Sequence, residues 1–318
     1  MAHEAEAARL AELAQRLCNW GAWGPDDEVG TLNYITPERV VAASRLVRRG
    51  AVFSLAIDFG QSGPQSGYLN RFNPMVFMLR DGDDTYARAM PGVPQGIGGA
   101  DDVLILPTQA ATQWDGLAHI FYDSRMWNGY DCRLVSSQGA ERNSIATYRD
   151  RIVGRAVLLD LPRSMGIPWC EPGQGIGSAE LEACVAAQGV EIGEGDIVLF
   201  RFGQVAQCRD AGSWGSYAGG DAPGLTLDTL DWIADHRIAA VAADTWGVEV
   251  RPNELSFVTQ PWHRIALPQM GLCVGEIFDL EALATDCAED RVYEMFFCAN
   301  PLPITGAVAS PINPTAVK

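Results

Sequence analysis

Apolar residues recur at helical spacing near the start of the chain. Leu10, Leu13, Ala14, Leu17 and Cys18 fall at i, i+3, i+4, i+7 and i+8, the stripe of an amphipathic helix over roughly residues 4–18. Such a helix serves either as an arm on a partner subunit or as a helix on its own domain. A second helix is marked by Thr36 as N-cap, Pro37 at the first helical position, apolar Val40, Val41, Leu46 and Val47, and Gly50 as a stop. Further helices are expected to start at Ser178, Thr226 and Asp279.

Short β-rich runs lie between them: residues 103–106, 156–159, 197–200, 239–243 and 292–297. All five predict buried strands. Helix and strand patterns alternate at fairly even spacing, which predicts one α/β or α+β domain. Two glycine- and proline-rich segments, 59–68 and 91–101, read as long loops over a site, because composition does not shift across them. The expected organisation is an N-terminal helical arm, 1–18, and a single domain, 19–318.

Composition narrows the function classes. Of 318 residues, 40 are acidic and 23 basic, a net charge of −17. That excludes a general nucleic-acid binder and argues against anionic lipid as a partner. The eight cysteines form no CxxC pair, and most sit in apolar contexts such as Leu272-Cys273-Val274, as buried reduced thiols do. No basic-then-apolar leader and no run of about 18 apolar residues is visible, so the cytoplasm is the expected location.

The chemistry has few candidates. GxSxG, GxxxxGK[ST] and HExxH are all absent, and the glycine-rich 173–177 segment follows no predicted strand. Only four histidines exist: His3, His119, His236 and His263. His3 lies in a fraying terminus, and His236 sits near a helix end where a cation suits the dipole. Asp115 and His119 are four residues apart, so one helical turn would aim both at one point. His263 opens a run that ends in Gly275-Glu276. Two histidines and two carboxylates are a usual start for a metal site or an acid–base pair. Trp20, Trp23, Trp114, Trp127, Trp246 and Trp262 lie in or beside these segments, which predicts an aromatic-lined pocket. Tyr122, Asn128 and Tyr130 are candidates to orient a substrate. Asp244, Glu249 and Arg251 are expected to form ion pairs with each other or with Arg201. Asp26, Asp27 and Glu28 read as a solvated turn.

The segment from Gln109 to His119, with the later His263 and Glu276, resembles the cyclase family of metal-dependent hydrolases, which includes bacterial kynurenine formamidase and isatin hydrolase. The family pattern is HxGTHxDxPxH. Thr112, Asp115 and His119 match it, whereas Gln109 and Gln113 replace the two leading histidines, Ala111 the glycine and Leu117 the proline. The resemblance covers most of the chain from about Asn19. It implies a swivelling β/β/α-type domain with a mixed central sheet or barrel-like core flanked by helices, and a homodimer or homotetramer. It also implies one divalent ion (Mn²⁺, Zn²⁺ or Mg²⁺) held by Asp115, His119, His263 and Glu276, since a neutral glutamine oxygen is a weak ligand beside imidazole.

The expected activity is hydrolysis of a small cyclic amide, imide, lactone or N-acyl compound by a metal-activated water. His119, His263, Asp115 and Glu276 are the catalytic candidates. Gln109, Gln113, Trp23, Trp114, Tyr122 and Trp246 are the candidates for substrate binding. The alternative is a metal-free cyclase, lyase or isomerase of secondary metabolism using the same cluster for proton transfer. A third possibility is a non-catalytic binding protein, which the lost ligands support and which gains if the quartet points away from every pocket.

Overall fold

The computed structural model describes residues 2–86 and 98–318. Of the 91–101 segment, residues 91–97 lie outside the described residues.

One mixed sheet of nine strands organises the chain. The strands are β1 (Val52–Ser54), β2 (Gln113–Asp115), β3 (Val153–Asp160), β4 (Ile197–Arg201), β5 (Ala240–Ala243), β6 (Cys273–Glu276), β7 (Glu294–Cys298), β8 (Ala309–Pro311) and β9 (Thr315–Val317). Their spatial order is β1-β9-β7-β3-β4-β5-β6-β2-β8. The four central strands β3 to β6 run parallel, and antiparallel strands flank them on both sides. The α/β expectation holds, with a mixed sheet flanked by helices.

The continuous apolar runs have a plain cause. Alternate residues of β3 to β6 feed two separate cores. Val157, Leu159, Val198, Phe200, Val241 and Val274 face one, and Ala156, Leu158, Ile197, Leu199, Ala240 and Cys273 face the other. A parallel sheet covered on both faces has no polar side, so period-two alternation disappears. The first core is roofed by helices α1 (Ala2–Leu17), α3 (Ser178–Gln188), α5 (Thr229–Asp235) and α6 (His263–Ala266), through residues such as Leu10, Leu181, Ile233 and Ile265. Leu283, Ala284 and Cys287 of α7 (Glu281–Asp290) close the second.

Leu10, Leu13 and Ala14 of α1 are buried against the chain's own α5 and α6, and Arg16 pairs with Asp231 on α5. The helix therefore packs on its own domain. α2 (Pro37–Ser44) begins as expected, with the Thr36 side chain accepting from the Arg39 amide, but it stops at Ser44 rather than near Gly50. The Ser44 hydroxyl bonds back to the Val41 carbonyl, and the amides of Arg49 and Ala51 donate to the Lys318 carbonyl. These bonds draw the chain onto β9 instead of a further helical turn. α5 and α7 start at Thr229 and Glu281, two or three residues later than expected, and α4 (Gln204–Asp210) follows β4.

One strand expectation fails in its environment. Residues 101–105 form a strand, but they pair only with Met75–Arg80 in a separate two-stranded ribbon. Val103, Leu104 and Ile105 are exposed there, with Val76, Phe77, Met78 and Leu79 opposite. An apolar run identifies a strand without saying what covers it.

Gly275 has a packing role. It pairs with Trp114 across β6 and β2, and a Cβ on it would lie 2.5 Å from the Trp114 ring and 2.9 Å from the Ala242 Cβ. Glycine here admits an indole rather than a ligand. Gly275→Ala should therefore cost about 1–3 kcal/mol through overpacking, read as a lowered denaturation midpoint at unchanged m-value. A midpoint equal to that of the parent would show that Trp114 relaxes freely.

Candidate functional site

The site forms where β6 ends beside β2. Cross-strand register places Glu276 opposite Gln113 and Val274 opposite Asp115. With a side-chain period of two, Gln113, Asp115 and Glu276 share one face of the sheet. Gln113 Nε2 donates to Glu276 Oε2 at 2.7 Å. Thr112, one residue earlier, serves the other side of the junction. Its hydroxyl donates to the Ile277 carbonyl (2.6 Å) and accepts from the Ile57 amide (2.9 Å). Ile277 stands at φ 61°, a left-handed conformation that is costly for a β-branched residue. The Thr112 bond and an amide bond to the Thr245 carbonyl hold it there.

His263 arrives from α6. Its Nδ1 lies 2.5 Å from Glu249 Oε1 and its Nε2 3.1 Å from Glu276 Oε1. All three residues are buried. Glu249 also accepts from the backbone amides of Trp262 and His263, each at 3.2 Å, so it fixes both the start of the helix and the ring. Burial alone would discharge the imidazole, but the bonds to Glu249 and Glu276 outweigh it and push its pKa up to about 10. Asp115 is buried next to them, and its carboxyl is driven well above the ordinary range by burial and then by the Glu276 charge.

His119 stands apart from this group in two ways. The expected helical turn from Asp115 to His119 does not form: β2 ends at Asp115, and the His119 amide closes a tight turn onto the Gly116 carbonyl. Its partner is Gln109, whose Nε2 lies 3.2 Å from His119 Nδ1. The Thr108 hydroxyl donates to Gln109 Oε1 at 3.0 Å, and in this amide orientation Nε2 faces the ring. Nδ1 then accepts and Nε2 carries the proton. Burial, then the Arg71 and His263 charges, push the His119 pKa down to about 3, so this ring is neutral.

His119, His263, Asp115 and Glu276 all line one cavity of about 120 Å³, together with Leu69, Arg71, Ile120, Trp246 and Gln260. The quartet therefore faces a pocket, which counts against a non-catalytic remnant. A larger cavity of about 420 Å³ lies along residues 56–63 against Arg209, Trp214 and Asp279. It contains none of these groups, so the chemistry belongs to the smaller one. His236 bonds the Trp232 carbonyl, and His3 is exposed.

Asp115, His263 and Glu276 each offer a ligand atom within 4.8 Å of one another, and His119 is outside this group. Two buried acceptors nearby, Asp115 Oδ1 and Gln113 Oε1, have no hydrogen-bond partner. Unpaired buried acceptors are costly, and a divalent cation would satisfy both. Two carboxylates, one imidazole and an amide oxygen suit such an ion. Glu249 stands behind the histidine, as a carboxylate often does behind a metal-binding imidazole. Asp115, His263 and Glu276 fit a metal, and His119 lies in the same cavity outside that close group.

Several substrate-binding candidates are not brought to the cavity. Trp114 is fully buried on the opposite face of β2, with its indole N–H on the Ala299 carbonyl. Trp23 packs on Tyr34 and Trp127, and Tyr122 packs against the first core. Asn128 and Tyr130 brace the turn at 24–27 through backbone carbonyls. That turn is not simply solvated. Asp27 accepts from the Val29 and Gly30 amides and from Asn33, and Glu28 accepts from Arg142 and the Asn143 amide. Trp246 does reach the cavity, and the 59–68 loop leads directly into its wall at Leu69 and Arg71.

The expected ion pairs among Asp244, Glu249, Arg251 and Arg201 do not form. Asp244 caps the Phe202 and Gly203 amides, Arg201 pairs with Asp160 and Glu281, and Arg251 lies over aromatic rings. Sequence reasoning missed Glu249, Arg71 and Gln260. Only Glu249 had a usable signal, as a carboxylate shortly after a buried strand.

The family model Cyclase matches residues 34–250. The chain belongs to the cyclase family. Membership of that family supports an enzyme. A crystal structure described as that of a novel cyclase is 39% identical, with 95% of this chain and 100% of that one covered and a TM-score of 0.88. Isatin hydrolase A from Ralstonia solanacearum has 18% identity, coverage of 89% and 98%, and a TM-score of 0.62. A potential metal-dependent hydrolase with cyclase activity has 16% identity, coverage of 84% and 98%, and a TM-score of 0.51. At those identities the last two show the shared fold. No curated protein matches the chain. No helix among the described residues is long and apolar enough to cross a membrane.

Glu249→Ala would leave a buried imidazolium and two backbone amides without their acceptor. The variant should lose about 3–5 kcal/mol, the cost of breaking a buried pair from one side, measured by urea denaturation. A loss under about 1 kcal/mol would mean that water replaces the carboxylate and that the His263 ring is not fixed by it.

Proposed function

We propose that this cyclase-family protein hydrolyses a small cyclic amide, imide, lactone or N-acyl compound. The observation that carries the reading is the buried Asp115–His263–Glu276 group, with its unpaired acceptors, beside a neutral His119 in one cavity. Asp115, His263 and Glu276 would hold a divalent ion, with the Gln113 side-chain oxygen in support. Such an ion supplies Lewis-acid polarisation of a carbonyl and lowers the pKa of water toward about 7.

The protein's own groups divide the remaining work. Glu249 holds the Nδ1 proton of His263, so Nε2 is the atom turned to Glu276 and the cation site. Gln113 fixes Glu276 through Oε2. Asp115, through the carboxylate oxygen not given to the ion, accepts a proton from the attacking water and returns it to the oxygen or nitrogen that leaves the acyl carbon. His119, neutral and with its proton on Nε2, donates a hydrogen bond to the carbonyl oxygen as negative charge develops there. Gln109 selects that tautomer, which gives a physical role to a residue that departs from the family pattern.

Metal analysis of the purified protein should find about one divalent ion per chain, and chelation should abolish turnover. His119→Ala should lower kcat by about 10²–10³-fold with metal content unchanged, whereas Asp115→Ala should lose both. Reduced metal in His119→Ala would return His119 to the ligand set and overturn the assignment. A second reading, metal-free cyclisation, elimination or isomerisation, draws on the Glu249–His263–Glu276 chain, which is closed by protons alone. Turnover that survives chelation but fails in His263→Ala would favour it.

A further inference from the structure

Among the described residues, Arg71 is the one arginine or lysine that lines the cavity of the Asp115–His263–Glu276 group. Most arginines of the described residues meet a carboxylate, as Arg201 meets Asp160 and Glu281, and Arg155 meets Asp196 and Glu294. Arg71 lines the cavity that holds Asp115 and Glu276, yet it makes no ion pair with either, and no carboxylate among the described residues is paired with it. Its guanidinium lies over the Trp246 ring, 5.0 Å from the centroid. Arg251 shares that ring at 5.9 Å and Tyr68 at 5.5 Å, also without a carboxylate partner among the described residues. Two cations therefore meet at one aromatic platform beside the cavity.

The backbone is built to put them there. Gly67, Leu69 and Asn70 all have positive φ, 95°, 53° and 59°, and two of these are not glycine. Conformations of that kind persist only where the surroundings enforce them. Tyr68 is seated against Gly219, where a Cβ would clash with its ring, and it contacts Trp246 edge-on at 5.4 Å between centroids. The Gln65 side chain ties the same segment to the Ala110 carbonyl (2.8 Å) and to the Trp246 indole N–H (3.4 Å). A guanidinium resting on a ring through its face keeps its in-plane N–H donors for another acceptor. Simple neutralisation of Asp115 and Glu276 would instead use direct contact, as Arg201 does with its partners.

We propose that Arg71, positioned by Trp246 and supported by Arg251, binds a carboxylate of the substrate at the rim of the cavity. The substrate class narrows to amides, imides or lactones that carry a carboxylate beside the bond to be cleaved. This inference rests on the hydrolase reading for the cleaved bond, but the anion site stands on its own geometry. A chain of net charge −17 repels anions at long range, so a local pair of cations is what would hold one here. Trp246 thereby becomes a positioning residue, with one face given to arginine.

Benzoate and its neutral isostere benzamide are the probes, titrated calorimetrically into the purified protein. Benzoate should bind at least about tenfold more tightly than benzamide. Arg71→Gln should remove that preference, and Arg71→Lys should recover only part of it, because an ammonium lacks the two-pronged donor geometry. Trp246→Leu should weaken benzoate more than benzamide. Equal binding of the two probes, or benzoate binding unaltered in Arg71→Gln, overturns the anion site whatever the turnover. Benzoate binding that depends on Arg71 in a protein that hydrolyses none of the acyl compounds upholds the anion site and overturns the hydrolase reading alone.

Discussion

His263 held between two buried carboxylates is the interaction on which the rest of the site depends. Glu249 at 2.5 Å and Glu276 at 3.1 Å hold the ring from opposite nitrogens. Charges at this depth are tolerable only when paired and hydrogen-bonded. That requirement reaches outward. Glu249 also carries the amides that start α6, Glu276 is fixed by Gln113, and Gln113 is fixed by the register of β2 against β6. Helix start, strand register and ring orientation are thus one constraint.

The sheet provides the frame for that constraint. Its parallel centre has both faces covered, so the polar residues of the cluster collect at the carboxyl end of β6, outside the apolar layers. This is where open α/β sheets generally present ligand sites. The antiparallel β2 lies beside β6 and contributes Gln113 and Asp115 on the same face. Thr112 pins the strained Ile277 at the end of β6, so a threonine with no chemical role keeps Glu276 in place.

The two histidines of the cavity are opposite in character. His263 is flanked by anions that raise its proton affinity. His119 is desolvated, sits near Arg71, accepts from Gln109 and is neutral. Environments that separate the proton affinities of like groups let a single cavity hold two imidazoles with different tasks, one a neutral hydrogen-bond donor and one set among carboxylates. Gln109 and Gln113, where the family pattern has histidine, take part as hydrogen-bonding groups. Gln109 sets the tautomer of His119, and Gln113 sets the position of Glu276.

Much of this was legible in the sequence. The apolar runs named the central strands because burial on both faces demands it, and the i, i+3, i+4 stripe named α1 because one helical face meets a core. Scarcity of histidine, with a partial family pattern, pointed to His119, His263, Asp115 and Glu276, all of which share a cavity. The tertiary structure alone decided the partnerships. Whether Asp115 and His119 sit on a helix or at a strand end depends on pairing with β6, a contact across some 160 residues. Whether residues 103–105 are buried depends on what covers them. The assignment of Glu249 to His263, Trp114 to the core and Arg71 to Trp246 is likewise a matter of three-dimensional proximity. Local sequence determines backbone preference and which faces avoid water; which buried charge meets which is set by distances that exist only once the sheet has formed.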